Sequence, residues 1–122
     1  MATILETNEA KVDTPAGVPK VDGTWTSPNE STLTLTSLQP MSGSGWTIEG
    51  TTDTGAGGTG FTFGNAIALS LFSTRGPFGS VETVLGSFAL AAPFTMTALV
   101  STQIPGIPPA APATNTITYT RS

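Results

Sequence analysis

Gly23-Thr24-Trp25-Thr26 is the stretch on which the fold turns. It opens the first convincing strand and holds one of only two tryptophans. Its counterpart is Tyr119-Thr120-Arg121, which closes the last strand. A Trp on the first strand and an Arg on the last can meet only where the sheet curls until its two edges touch. The two stretches together predict a closed barrel with Trp25 and Arg121 as its structural pair. Trp46, the other tryptophan, has no cationic lid in this reading.

Working outward, the residues between them alternate. Val21, Gly23 and Trp25 share one face. Ser31 to Leu38 sets Thr32, Thr34 and Thr36 against Leu33 and Leu35, a period of two with β-branched Thr, which is a strand pattern. Ser27-Pro28-Asn29-Glu30 is turn chemistry, since Pro pre-sets φ and Asn tolerates the left-handed region. Gln39 to Gly45 reads as a second turn, followed by Trp46, Ile48 and Gly50 alternating on a third strand. Asp53 to Gly60 reads as a glycine loop before a short strand at Phe61 to Phe63. Ile67, Leu69 and Leu71 face one way on the fifth strand and Phe72 the other. Val81 to Leu90 is a sixth strand, broken at Gly86. Phe94, Met96, Ala98 and Val100 share a face on the seventh. Ile104 to Ala113 holds four prolines and reads as a stiff connection. Thr114 to Arg121 is the eighth strand, with Ile117 and Tyr119 on one side.

About eight strands at short spacing, with no helical stripe, predict an all-β fold. An even strand number with short sequential links favours an eight-stranded antiparallel up-and-down β-barrel, which leaves no open sheet edge; a β-sandwich is the alternative.

Composition bounds the function. The chain of 122 residues suits one domain. Six of its charged residues fall in the first 22 positions, with Pro15, Gly17 and Pro19 among them. Residues 1–20 therefore read as a flexible N-terminal arm and 21–122 as the barrel domain. There is no cysteine and no histidine, so thiolate metal sites and a His-activated nucleophile are excluded. A net charge of −4 with four basic residues argues against nucleic acid as a partner. No apolar run reaches the roughly 20 residues a membrane helix needs. Met1 to Ala10 has no apolar signal core, so either the protein stays in the cytoplasm, the default expectation, or a signal has been cut away.

Three local patterns carry little chemistry. Gly55 to Gly60 matches Gly-x-Gly-x-x-Gly but precedes a strand, so no helix N-terminus is offered to a phosphate. Asn29-Glu30-Ser31 is a glycosylation sequon without a secretion signal. Glu49 and Asp53 flank a strand end and read as a solvated rim. The aromatic set Trp46, Phe61, Phe63, Phe72, Phe78, Phe88 and Phe94 reads as core before ligand wall.

Gly23-x-Trp25 with Arg121 resembles the mark shared by the calycins (lipocalins, fatty-acid-binding proteins and avidins), in which the Arg packs over the Trp and seals one barrel end. Thr95-Met96-x-x-Leu99 and Ile117-Thr118-Tyr119-Thr120-Arg121 are similar to the seventh and eighth strands of avidins. That resemblance implies a ligand set of Ser27, Ser31, Thr52, Phe72 and Thr97. Ser31 falls where avidins place a serine on the ureido oxygen of biotin. Ser27 stands for their asparagine and Thr52 for their tyrosine. Phe72 and Thr97 stand for wall tryptophans. Ile117 replaces a polar partner, and the Pro-rich seventh-to-eighth link lacks a further tryptophan. The resemblance thus implies a non-enzymatic barrel holding a small ligand other than biotin, with no cofactor and no metal. A structural or assembly protein of a virion or surface layer is an alternative, as is a calycin-type protease inhibitor acting through its arm. With 10% charged residues, outer faces should be apolar enough to form a symmetric homo-oligomer, a dimer or tetramer.

Overall fold

The computed structural model describes residues 19–41, 43–74, 79–106, 108 and 111–122. The arm read over residues 1–20 therefore lies outside the described residues up to position 18.

Eight strands follow in chain order: β1 (Gly23–Thr26), β2 (Leu33–Met41), β3 (Gly45–Thr52), β4 (Gly57–Phe63), β5 (Ala66–Ser73), β6 (Ser80–Phe88), β7 (Thr95–Gln103) and β8 (Ala113–Arg121). Each pairs antiparallel with the next, and β1 pairs with β8 to close a barrel. Closure sets Trp25 opposite Arg121 and Thr26 opposite Thr120. A sandwich would leave the first and last strands unpaired, so this ladder decides between the two architectures.

Period-two alternation sends one residue of each pair inward. Leu33 and Leu35 on β2, Ile67, Leu69 and Leu71 on β5, and Met96, Ala98 and Val100 on β7 are buried with Trp25, Trp46, Ile48 and Phe88. Ile117 and Tyr119 of β8 also point inward. Each fully buried Leu or Ile contributes about 1.5–3 kcal/mol through area removed from water.

Several boundaries differ from the sequence reading. β2 continues through Pro40 to Met41, past a register shift between Ser37 and Gln39. β4 begins at Gly57, so half of the expected glycine loop is strand, paired with both Thr51 and Phe72. β6 runs unbroken through Gly86, held by Ile67 on one side and Ala98 on the other. In each case cross-strand pairing outweighs the weak local preference of Gly and Pro. The aromatic set also divides: Phe61, Phe63 and Phe72 are exposed on the outer face, while Trp46 and Phe88 are core. Phe78 lies outside the described residues.

Candidate functional site at the barrel mouth

The two barrel ends differ. One is sealed by side chains. The Arg121 guanidinium lies 4.1 Å from the Phe94 ring centroid and 5.5 Å from that of Trp25. Its Nη1 donates to the carbonyls of Lys20 (3.2 Å) and Asp22 (3.4 Å). Trp25 Nε1 donates to the Val21 carbonyl at 2.9 Å. Gly23 has φ +141, and a Cβ there would come within 2.8 Å of Arg121 Cδ. Glycine is needed on both counts, which explains the Gly-x-Trp spacing. Trp46 has a cationic lid after all: Lys20 Nζ lies 4.4 Å from its ring centroid. Lys20 therefore packs on the barrel.

The opposite end is a mouth that carries the β1–β2 and β3–β4 turns and, among the described residues, the facing ends of β5, β6, β7 and β8. The β1–β2 turn is held by the Glu30 amide on the Ser27 carbonyl (3.2 Å), with Asn29 at φ 65. Asp53 Oδ1 accepts from the Thr32 amide (3.1 Å), and the Asp53 amide donates to the Thr32 carbonyl (3.2 Å). Ser31 and Thr54 hydroxyls share a hydrogen bond of 3.4 Å, and those of Thr52 and Thr54 one of 2.9 Å. The Ala56 amide donates to Thr52 Oγ1 at 3.1 Å. Two neighbouring turns are thereby zipped into one lip.

Two spaces lie behind this lip. The outer is an open hollow of about 380 Å³, lined among the described residues by Ser31, Thr54, Ala56, Leu71, Phe72, Ser73, Ser80 and Glu82. The inner is about 30 Å³ and reaches Glu30, Leu33, Thr52, Val84, Ile117 and Tyr119. That inner volume has room for about two waters and not for an organic ligand. Below it the barrel is filled by side chains.

Both ionisable groups that perturb this region are carboxylates. Burial pushes the Glu82 carboxyl above the usual carboxylate range, against the lowering effect of its hydrogen bond from Thr102 Oγ1 (3.4 Å); nearby Glu30 raises it further. Burial, then the charges of Glu82 and Glu30, push the Tyr119 phenol up to about 12. The Tyr119 ring is buried, and its residue lines the inner space.

The structure brings together some of the expected ligand residues. Ser31 lines both spaces and Thr52 the inner one. Ser27 lies in the adjoining turn and lines neither among the described residues. Phe72 and Thr97, expected as walls, stand on the outer face, because alternation turns Leu71, Met96 and Ala98 inward instead. Phe72 still edges the outer hollow, whereas Thr97 lies near the sealed end of β7. Structural Trp25 and Arg121 meet as the resemblance implied.

Glu82 and Tyr119 were missed. The signal was present for Glu82: it shares parity with Val84 on β6, which places a carboxylate on the inner side. Asp53 is occupied in pinning the lip, and Glu49 is exposed on β3. Among the described residues no group of three Asp or Glu side chains gathers as a metal site.

The chain was compared with protein-family models, with curated proteins and with solved structures, and none matches.

Proposed function

We propose that this chain is a non-enzymatic binding protein of calycin type, whose small ligand sits in the mouth of the barrel and not in its interior. The observation that carries this reading is the contrast between the two spaces, about 380 Å³ outside and about 30 Å³ within. Ligand pockets run to roughly 300–1,000 Å³, so of the two spaces at the mouth the outer hollow is the one of that size. Trp25 under Arg121 supports the calycin reading, and the motifs of β1, β7 and β8 resemble those of avidins. Glu30 and Glu82 favour a neutral or cationic ligand over an anion.

Biotin is a poor match. Its carboxylate would face these acids, and apolar Ile117 forms part of the inner lining where a ureido group needs polar partners. Calorimetry with biotin should give no submicromolar binding; a nanomolar constant would overturn this part of the reading. The ligand itself is sought by native mass spectrometry of protein purified from its source. The expected result is a retained small molecule that Glu82→Gln and Ser31→Ala weaken. A bare chain mass, with no thermal shift from a panel of small amines, amides and polyols, would contradict it.

A second reading is an assembly protein, which the uncharged outer face of β4 to β8 favours. The arm-borne inhibitor reading rests on residues outside the described ones. Deleting the arm separates the three: mouth binding survives the deletion, while arm-mediated assembly or inhibition is lost.

A further inference from the structure

The two spaces at the mouth form one site in two parts. Ser31, Leu71 and Glu82 line both, so the inner space of about 30 Å³ adjoins the outer hollow of about 380 Å³. A molecule seated in the hollow can send only a head group about the size of a water further in. The chemistry around the inner space says what that head group is.

Its polar lining is rich in acceptors and poor in donors. Glu30 and Glu82 bring carboxylates, which when ionised accept and do not donate. The Ser31 and Thr52 hydroxyls already share hydrogen bonds with Thr54, and Thr52 Oγ1 also accepts from the Ala56 amide. Glu82 receives a hydrogen bond from Thr102 Oγ1, and it is long, at 3.4 Å. Among the described residues no Lys, Arg, Asn, Gln or Trp lines either space. Lys20 and Arg121 cap the tryptophans of the sealed end.

Two acids near a rim are commonplace, and Tyr119 sets this pair apart. It is 5% exposed and lines the inner space. Its hydroxyl makes no hydrogen bond among the described residues. The charges of both Glu82 and Glu30 act on its phenol, so the three groups surround one small volume. A buried polar group left without a partner is costly, and in a native structure it marks a place for a ligand, ion or water.

We propose that the inner space takes the ammonium group of a primary amine, whose organic body lies in the outer hollow against Leu71 and Phe72. This rests on the reading of the mouth as a ligand site and names the class of its ligand. An ammonium carries three donors and no acceptor, which matches Glu30, Glu82 and the Tyr119 hydroxyl. Its charge offsets two like charges that otherwise face each other. It is about the size of a water, whereas a quaternary ammonium or a guanidinium is larger than the space. A hydroxyl or amide head would turn an acceptor toward two carboxylates.

Calorimetry on the full chain at neutral pH tests this with four compounds that share one body: benzylamine, benzyl alcohol, benzyltrimethylammonium and benzoate. Benzylamine should bind at least roughly tenfold tighter than each of the others, the effect of losing one hydrogen bond to a charged group. Glu30→Gln and Glu82→Gln should each weaken benzylamine roughly tenfold by the same reasoning. Tyr119→Phe should weaken it by less, and Glu49→Gln, on the exposed side of β3, should leave it unchanged. Cooperative melting checks the fold of each variant. Glu30 is an exposed turn residue, so its variant decides the matter even where Glu82→Gln or Tyr119→Phe fails to fold. Benzyl alcohol binding as tightly as benzylamine would overturn the ammonium and leave the mouth a ligand site. Benzyltrimethylammonium binding as tightly would also overturn it, reducing the contact to a general attraction of cations to the rim. So would Glu30→Gln and Glu82→Gln variants that bind benzylamine like the wild type. No binding by any of the four at millimolar concentration would overturn it too, and the mouth reading would then be decided separately by whether a molecule is retained in the native mass spectrum.

Discussion

Lys20 Nζ sits 4.4 Å above the ring of Trp46, so each tryptophan of this chain is capped by a cation at the same end of the barrel. The two indoles are otherwise unlike. Trp25 Nε1 has an acceptor in the Val21 carbonyl, whereas Trp46 Nε1 is buried without one among the described residues. Trp46→Phe should therefore cost less than Trp25→Phe, because it removes an unsatisfied donor and strands no carbonyl. Lys20→Ala should cost about 0.5–1 kcal/mol, the worth of an exposed cation over a ring. Urea denaturation of the three variants and the wild type measures all of this.

Tyr119 supplies a pH prediction with a single reporter, since the chain has one tyrosine. The unfolded phenol loses its proton near its ordinary value of 10.0, and the folded one holds it up to about 12. Between those values the folded state binds more protons than the unfolded state. Stability is therefore lost as pH rises through that window. Phenolate absorbance should titrate late in the folded protein, and Tyr119→Phe should flatten the alkaline loss. A phenol titrating at its ordinary value would place the ring in water.

Glu82 has the same sign at acid pH. Its carboxyl is raised mainly by burial, so the protonated form suits the folded state better. Its contribution to stability is present at low pH and is lost as pH rises past the ordinary carboxylate value of 4.5. Glu82→Gln should stabilise the chain at neutral pH, with the gain fading in acid. Thermal melts across that range check the sign; a destabilised variant at neutral pH would mean the carboxylate is held by partners instead.

The glycines of β4 separate two roles. A Cβ at Gly60 would fall on the Ala68 carbonyl and lie 2.7 Å from Leu69 Cα, so Gly60→Ala must move backbone and should cost about 1–3 kcal/mol. At Gly57 the nearest atom would be 3.7 Å away. Gly57→Ala should be neutral or stabilise by up to about 0.5–1 kcal/mol, because alanine gives up less backbone freedom on folding. Equal effects at both positions would mean that β4 and β5 do not approach closely at Gly60.

This pair also shows what the sequence alone conceals. Thr/Leu alternation in β2 and Ile/Leu alternation in β5 are written in the order of residues, and so is the pairing of the chain's ends through Trp25 and Arg121. Gly57 to Gly60 carries no side-chain pattern, so its place in a strand follows only from the carbonyls of β3 and β5 on either side. Lys20 looked like part of a polar arm because its partner, Trp46, is 26 positions away and meets it only after closure. At the mouth, Ser31 and Thr52 were found through a resemblance. Glu82 was legible from parity with Val84 alone. Phe72 and Thr97 were aligned to wall positions without regard to that parity, which turns both outward.

The barrel is closed at one end by the meeting of Trp25 and Arg121, which leaves the mouth to receive a ligand. A double-mutant cycle between them measures it most directly. Trp25→Ala should cost about 3–5 kcal/mol through lost burial and the cavity left behind. Arg121→Ala should cost less. Their coupling should be about 0.5–2 kcal/mol, the worth of a guanidinium held over an indole. Coupling near zero would mean that β1 and β8 do not meet in solution, and the sealed end would fall with it.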